Sequence, residues 1–136
     1  MFYRFCNESG YVPSADVQRG AGYLQRFNKL NFGAKDSSPV FGVTYFDALA
    51  FAQWHNYRIP SEEELFNFFL KSAAEQITFR WHGLCWTSTS SGDGYVLLDG
   101  PYRSLDGMQE SNGSRVILAP SHFELLEAPC FRVVRD

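Results

Sequence analysis

A chain of 136 residues with 20% charged side chains, 17% aromatics and a net charge of −3 excludes several classes at once. Without a Lys/Arg cluster it has no cationic face for a phosphate backbone, so nucleic-acid binding is not expected, and no apolar run approaches the roughly 20 residues of a bilayer span. The length fits one domain, 1–136, with a core of its own, and 13 Phe, 7 Tyr and 3 Trp beside so few charges favour α+β packing with much irregular backbone over a solvated helical bundle.

Residues 1–38 have weak periodicity. Met1 to Glu8 carries no h-region and no small-residue cleavage site, so no secretory signal is expected, and a cytoplasmic or virion-associated location is the expectation. Phe2 and Phe5 predict a short strand; Gly10, Pro13, Gly20 and Gly22 punctuate the next stretch, and Asp36-Ser37-Ser38-Pro39 predicts a turn. Val40 to Val43 reads as a brief strand or an extended entry.

Thr44 and Asp47 then form a capping box, in which the hydroxyl accepts from the amide three residues on and the carboxylate reaches back. The helix it opens runs over 44–55, with Phe46, Leu49, Ala50, Gln53 and Trp54 at helical spacing as its inner stripe and Asn56 as its stop. Ser61 and Glu64 form a second capping box, with Glu62 and Glu63 adding negative charge at the positive end of the helix dipole. Its helix reaches to about residue 75, Leu65, Phe68 and Phe69 inward, Lys71 and Glu75 outward.

Beyond it the period becomes two. Strands are expected over Ile77–Trp81, Leu84–Ser88, Tyr95–Leu98, Arg115–Leu118 and Cys130–Val134, with a turn at Ser90–Gly94. Asp99 to Ser114 is rich in turn residues and has no period, a composition that in a compact domain belongs to a functional or mobile loop. Phe46, Trp54, Phe66, Phe68, Phe69, Phe79, Trp81 and Trp86 are expected to be mostly core.

Arg58-Ile59-Pro60-Ser61-Glu62-Glu63-Glu64-Leu65 resembles the R-L-P-T-E-A-E-W-E segment of the formylglycine-generating-enzyme (sulfatase-modifying factor) family. Pro39 to Trp54 is similar to that family's P-V-x-x-V-S-W-x-D-A-x-A-Y-x-x-W helix, and Phe131 to Arg135 to its closing G-F-R-x-V-R strand. The resemblance covers 39–136 and is strongest at 39–65 and 130–136. It implies a C-type-lectin-like α+β fold: two helices packed on a small twisted antiparallel sheet with long loops, the last strand pairing inside the sheet.

The resemblance also implies kinds of chemistry that can be checked residue by residue. Formylglycine-generating members bind copper with a cysteine pair and oxidise a substrate cysteine; soft thiolates suit Cu(I). Here the corresponding strand is Asp99 to Ser104, and no cysteine comes after it until Cys130, which stands where the family has the glycine of G-F-R. Cys85 falls where the family shows Glu before Trp, so the family's thiol pair is missing. Cys6, Cys85 and Cys130 lie outside metal-ligand spacing and are expected as small, reduced, buried apolar residues with no disulfide scaffold.

Ergothioneine-type sulfoxide synthases of the wider family use iron on several histidines. His55, His82 and His122 form no local grouping, so a metal site would have to be assembled from distant loops. The run Thr87 to Ser91 lacks a nucleophile elbow and reads as alternating hydroxyls on an edge strand. Asp93, Asp99, Asp106 and Glu110 could hold calcium by chemistry, but they fit neither EF-hand spacing nor the lectin triplets and read as solvated loop acids. No cofactor is expected, with calcium and copper the two exceptions to test.

So many aromatics cannot all be buried in a domain this small, which points to a binding face. The candidate is the 95–115 region, with Tyr102, Arg103, Met108 and Asn112; the competing reading makes these residues ordinary strand surface. Two functions are compatible with these observations. The first is a non-catalytic recognition domain, a pseudoenzyme binding a protein or glycan partner through its C-terminal loops, as in a phage or bacterial assembly. The alternative is a divergent metal-dependent oxidoreductase related to formylglycine-generating enzyme. The missing thiol pair and the scattered histidines favour the first.

Overall fold

The computed structural model describes residues 1–33, 39–74, 83–100, 102–103, 110–111, 113–123 and 129–135. All but Pro39 of the turn expected at 36–39, and the whole of the strand expected over 77–81, lie outside them. Among the described residues five helices precede the strands: α1 (Phe2–Ser9), α2 (Ser14–Arg19), α3 (Tyr23–Phe32), α4 (Tyr45–Trp54) and α5 (Glu62–Ala74).

The first of them corrects the strand expected at Phe2 and Phe5. Residues three apart fall on opposite faces of a strand but on one face of a helix. Both rings are buried, with centroids 5.8 Å apart. Gly10 ends α1 in the left-handed region at φ 78°, its N–H returning to the Cys6 carbonyl. Asp16 of α2 then starts α3 by accepting from the amides of Gly22 and Leu24 at 3.0 and 2.8 Å. Asn28 on α3 is buried and treats Phe41 as a strand partner: its Oδ1 accepts from the Phe41 amide at 2.8 Å and its Nδ2 donates to the Phe41 carbonyl at 2.9 Å. Residues 40–43 are therefore an extended entry rather than a strand.

Helix α4 opens on the expected capping box. Thr44 Oγ1 accepts from the Asp47 amide at 3.1 Å, and Asp47 Oδ2 accepts from the Thr44 amide at 3.0 Å. The helix stops where Asn56 turns to φ +57°. Its inner face differs from the expected stripe. Tyr45, Asp47, Ala48, Phe51 and Ala52 are buried, whereas Phe46 and Trp54 are each 51% exposed. The helix is apolar almost all round, so periodicity alone does not choose a face. Close approach chooses it, because the small Ala48 and Ala52 let α4 lie directly on Trp86 and Leu97.

Helix α5 is capped as expected: Glu64 donates its amide to Ser61 Oγ at 3.2 Å and accepts from the Ser61 amide at 3.0 Å. Arg58 clamps both Glu64 carboxylate oxygens at 2.6 and 2.7 Å. Leu65 and Phe69 are buried, but Phe68, expected inward, is largely exposed and carries the Arg132 guanidinium 5.2 Å above its ring.

The strands β1 (Cys85–Ser91), β2 (Gly94–Asp99) and β5 (Ser114–Leu118) form an antiparallel sheet in the order β1-β2-β5, while β3 (Tyr102–Arg103) pairs with β4 (Glu110–Ser111). Trp86, fully buried, donates its indole N–H to the Val43 carbonyl at 2.9 Å, and Tyr45 stacks on Tyr95 with centroids 3.8 Å apart. These contacts lock α4 onto the sheet. The strand expected over 130–134 is corrected to a crossing segment. Cys130 bridges Cys85 and Val134 bridges Arg58, because the segment serves two partners in turn and cannot run along either. Among the described residues no helix is long and apolar enough to cross a membrane.

The two capping boxes differ in burial, and their removal should differ accordingly. Asp47→Ala, which strands four donors in the interior, should cost about 3 kcal/mol or more; Ser61→Ala, at a more accessible cap, should cost about 1 kcal/mol. Urea unfolding of the two variants measures both, and equal losses would contradict the buried role of Asp47.

Arg58, and after it the Ser61 amide, hold the Glu64 carboxyl at about 2, below the usual carboxylate range near 4.5. A depressed folded value contributes stability above the unfolded one and loses it as pH falls from about 4.5 to about 2. The melting-temperature gap between the parent and Glu64→Gln should therefore close across that window. A gap independent of pH would show that the Arg58–Glu64 pair contributes nothing.

Candidate binding cleft between helix α5 and the sheet

The first turn of α5 is pinned from the sheet side: the Glu62 amide donates to Thr89 Oγ1 of β1 at 2.9 Å. Glu62 and Phe66 stand one helical turn apart and so share a face. Opposite them, the β2–β5 register pairs Leu98 with Arg115 and Asp99 with Ser114. Between these walls lies a cleft of about 480 Å³ lined by Glu62, Glu63, Phe66, Leu98, Gly100 and the Gly113–Arg115 turn.

Its floor is apolar and its rim charged. Phe66 is 43% exposed over the cleft, although a helix residue of this size normally seeks the core. Arg115 spans the rim to Glu62, its Nε donating to one carboxylate oxygen and its Nη2 to the other at 3.3 Å. An exposed pair of this kind adds little stability and exchanges partners readily. The entry to β5 needs glycine: Gly113 has φ +103°, and a Cβ there would sit 3.2 Å from the Asp99 carbonyl and 3.3 Å from the Gly100 backbone.

Of the four residues expected at the binding face, the backbone brings two to this cleft. Tyr102 and Arg103 form β3 immediately beyond the lining residue Gly100, with α5 alongside, and pair with Ser111 and Glu110 of β4. Met108 and Asn112 lie outside the described residues. Leu98 and Arg115 fall inside the 95–115 region without being singled out in it, while Glu62 lies outside it and Phe66, expected in the core, is 43% exposed. Phe66 alone carried a signal: it comes directly after Leu65 and so cannot share the Leu65–Phe69 face.

The other candidates have structural employment. Thr87 donates to the Val96 carbonyl at 2.7 Å inside the β1–β2 pair, and Thr89 anchors α5, so the hydroxyl run reads as framework. His55 packs between Phe51 and Tyr57, with ring centroids at 4.5 and 5.8 Å, and His122 closes a turn onto the Ala119 carbonyl. His82, Asp106 and the Glu110 side chain lie outside the described atoms. Among the described residues no three His, Cys, Asp or Glu side chains gather as a metal would require.

The thiols hold a feature that sequence spacing hides. Cys85 and Cys130, separated by 45 residues, have their sulfur atoms 3.2 Å apart. They do not fit the copper chemistry implied by the family resemblance, which needs thiolates open to a substrate cysteine. Both are at most 4% exposed and packed with Phe41, Leu65, Phe69, Val96 and Leu98; neither lines the cleft, although Leu98, the partner of Cys85 across the β1–β2 pair, forms its floor. A catalytic metal keeps an accessible coordination position, whereas the two sulfurs are enclosed by core side chains among the described residues.

Comparison with known proteins matches this architecture. The profile of the family described as Sulfatase-modifying factor enzyme 1-like domain matches residues 1–106. That stretch takes in the three N-terminal helices, which lie outside the residues that carry the sequence resemblance, and ends before the Phe131–Arg135 likeness. No curated protein matches the chain significantly. A match over most of the chain, on a five-helix α+β framework with both capping boxes in place, shows that the chain belongs to the sulfatase-modifying factor enzyme 1-like family.

Proposed function

We propose that the chain is a non-catalytic recognition domain: a pseudoenzyme that keeps the sulfatase-modifying-factor scaffold, read as C-type-lectin-like, and binds a partner at the α5–sheet cleft and the β3–β4 ribbon. The observation that carries this reading is the burial of the thiols beneath the cleft floor, where Cys85 pairs with the lining residue Leu98 without reaching the surface. The accessible concavity offers Phe66 and Leu98 with a charged rim, while Cys85 and Cys130 are sealed in the core. An apolar floor beside exchangeable charges suits a side chain of a protein partner flanked by its backbone. A glycan is the other occupant to test, and the acidic balance of the chain disfavours nucleic acid. A docking role of this kind suits a component of a phage or bacterial assembly.

The test begins with capture of the partner from the source cell, and then titrates the captured molecule. Replacing Tyr102 and Arg103 together by Ala should weaken binding more than tenfold, about 1.4 kcal/mol, and leave the melting temperature nearly unchanged; Phe66→Ala should act in the same direction. If the double variant melts early while its folded fraction binds normally, Tyr102 and Arg103 are structural and the proposed face is wrong. Stoichiometric copper or iron in the purified protein would instead favour the divergent oxidoreductase.

A further inference from the structure

We propose that Cys85 and Cys130 are a redox site: they close reversibly into an intrachain disulfide that clasps the C-terminal segment to β1. The sulfur atoms already lie 3.2 Å apart. A parallel bridge joins the two residues, with the Trp86 amide on the Cys130 carbonyl at 3.1 Å and the Cys130 amide on the Leu84 carbonyl at 2.9 Å. Such a bridge sets the backbones at roughly the 4.8 Å of paired strands, inside the range a disulfide spans. Closure needs about 1 Å of further approach by the sulfurs, which side-chain rotation can supply. Each thiol also reaches a weak acceptor, the Gly83 carbonyl at 3.6 Å for Cys85 and the Leu84 carbonyl at 3.5 Å for Cys130, bonds that oxidation gives up at little cost. Cys6 packs in a different cluster with α1 and takes no part.

The pair is asymmetric. The hydrogen bond from Cys130 holds the Cys85 thiol below its ordinary range against the opposing effect of burial, with Arg132 assisting. The same bond, and then burial, push Cys130 well above it. Cys85 is therefore the first thiolate. It attacks one sulfur of a low-molecular-weight disulfide such as oxidised glutathione, breaks that S–S bond and expels one thiolate. Cys130 then loses its proton to water and attacks Cys85 Sγ, expelling the second thiolate. Two protein thiols are oxidised and one disulfide is reduced to two thiols. Entry needs only a local opening, since the half-buried residues 131–134 are held by isolated bridges rather than a ladder.

The closed bond would span 45 residues, a stretch that includes β1 through β5 and the sheet wall of the cleft. Loops this long give disulfides their larger effects.

The experiment equilibrates the full chain in reduced and oxidised glutathione, blocks remaining thiols with N-ethylmaleimide, and reads intact mass, a non-reducing peptide map and the melting temperature. The expected result is loss of two thiols together, a peptide pair linking Cys85 to Cys130, continued alkylation of Cys6, and a melting temperature raised by about 10 °C, all reversed by dithiothreitol. Cys6→Ala should behave like the parent, and Cys130→Ala should stop at the mixed disulfide. The proposal is overturned if three thiols remain alkylatable in oxidised glutathione, including at urea just below the unfolding transition. A crosslink through Cys6, or a disulfide form that melts earlier, would overturn it equally.

Discussion

The carboxylate of Asp47 is the point on which the rest of the structure depends. It is fully buried and accepts from the Thr44 amide, the Tyr11 hydroxyl at 2.5 Å, and both the amide and hydroxyl of Ser14 at 3.1 and 3.2 Å. A carboxylate in the interior is tolerable only with such a full set of donors. The cap of α4 is thus completed by Tyr11 from the connection between α1 and α2 and by Ser14, the first residue of α2, and the N-terminal helices are part of the scaffold rather than an appendage. Asp47 also fixes the chain as it enters α4, one residue after Val43, whose carbonyl receives the Trp86 indole. From Trp86 the constraint passes to β2, and through β2 and β5 to the sheet wall of the cleft.

The other wall is set independently. Arg58 clamps Glu64, Ser61 closes the cap, and Thr89 holds the Glu62 amide, so α5 is anchored at its N-terminal end, where the cleft lies. The cleft is therefore framed by α5 and the sheet, while its rim is made from Glu62 and the Gly113–Arg115 entry to β5, with the β3–β4 pair beginning just beyond Gly100. Binding residues on loops held by a fixed frame are a common arrangement, since the frame supplies precision and the loops supply variation. The same frame encloses Cys85 and Cys130 beneath the cleft floor, packed with Phe41 and Leu98 and closed off from the surface.

How much could be read from the sequence depends on how local each signal is. Both capping boxes involve residues three apart, so the pattern contains the whole interaction, and the β1–β2 hairpin and β5 show the same economy in their period of two. The inner face of α4 was not legible because the helix is apolar on nearly every side, and the choice rests on Ala48 and Ala52 meeting Trp86 from a distant strand. Phe2 and Phe5 are a single pair three residues apart, a spacing that shares one face of a helix but not of a strand, in a segment too short to repeat it. The closing segment resembled a strand in composition, yet its pairing is divided between Cys85 and Arg58. The cleft draws on residues 62–66, 98–100 and 113–115, and the thiols on positions 45 apart; no window along the chain contains either. The family resemblance reached the scaffold but stopped short of the first 38 residues, which the family match includes.

The central claim is that this chain uses the family scaffold for recognition and not for oxidation. The most direct measurement is to incubate the reduced protein with copper(I), oxygen and a cysteine-containing peptide, and to monitor the peptide by mass spectrometry for conversion of the thiol to an aldehyde. With both thiols enclosed beneath the cleft floor, the peptide should be recovered with no more aldehyde than in a control lacking protein. Protein-dependent aldehyde formation that disappears when Cys85 and Cys130 are replaced would contradict that claim.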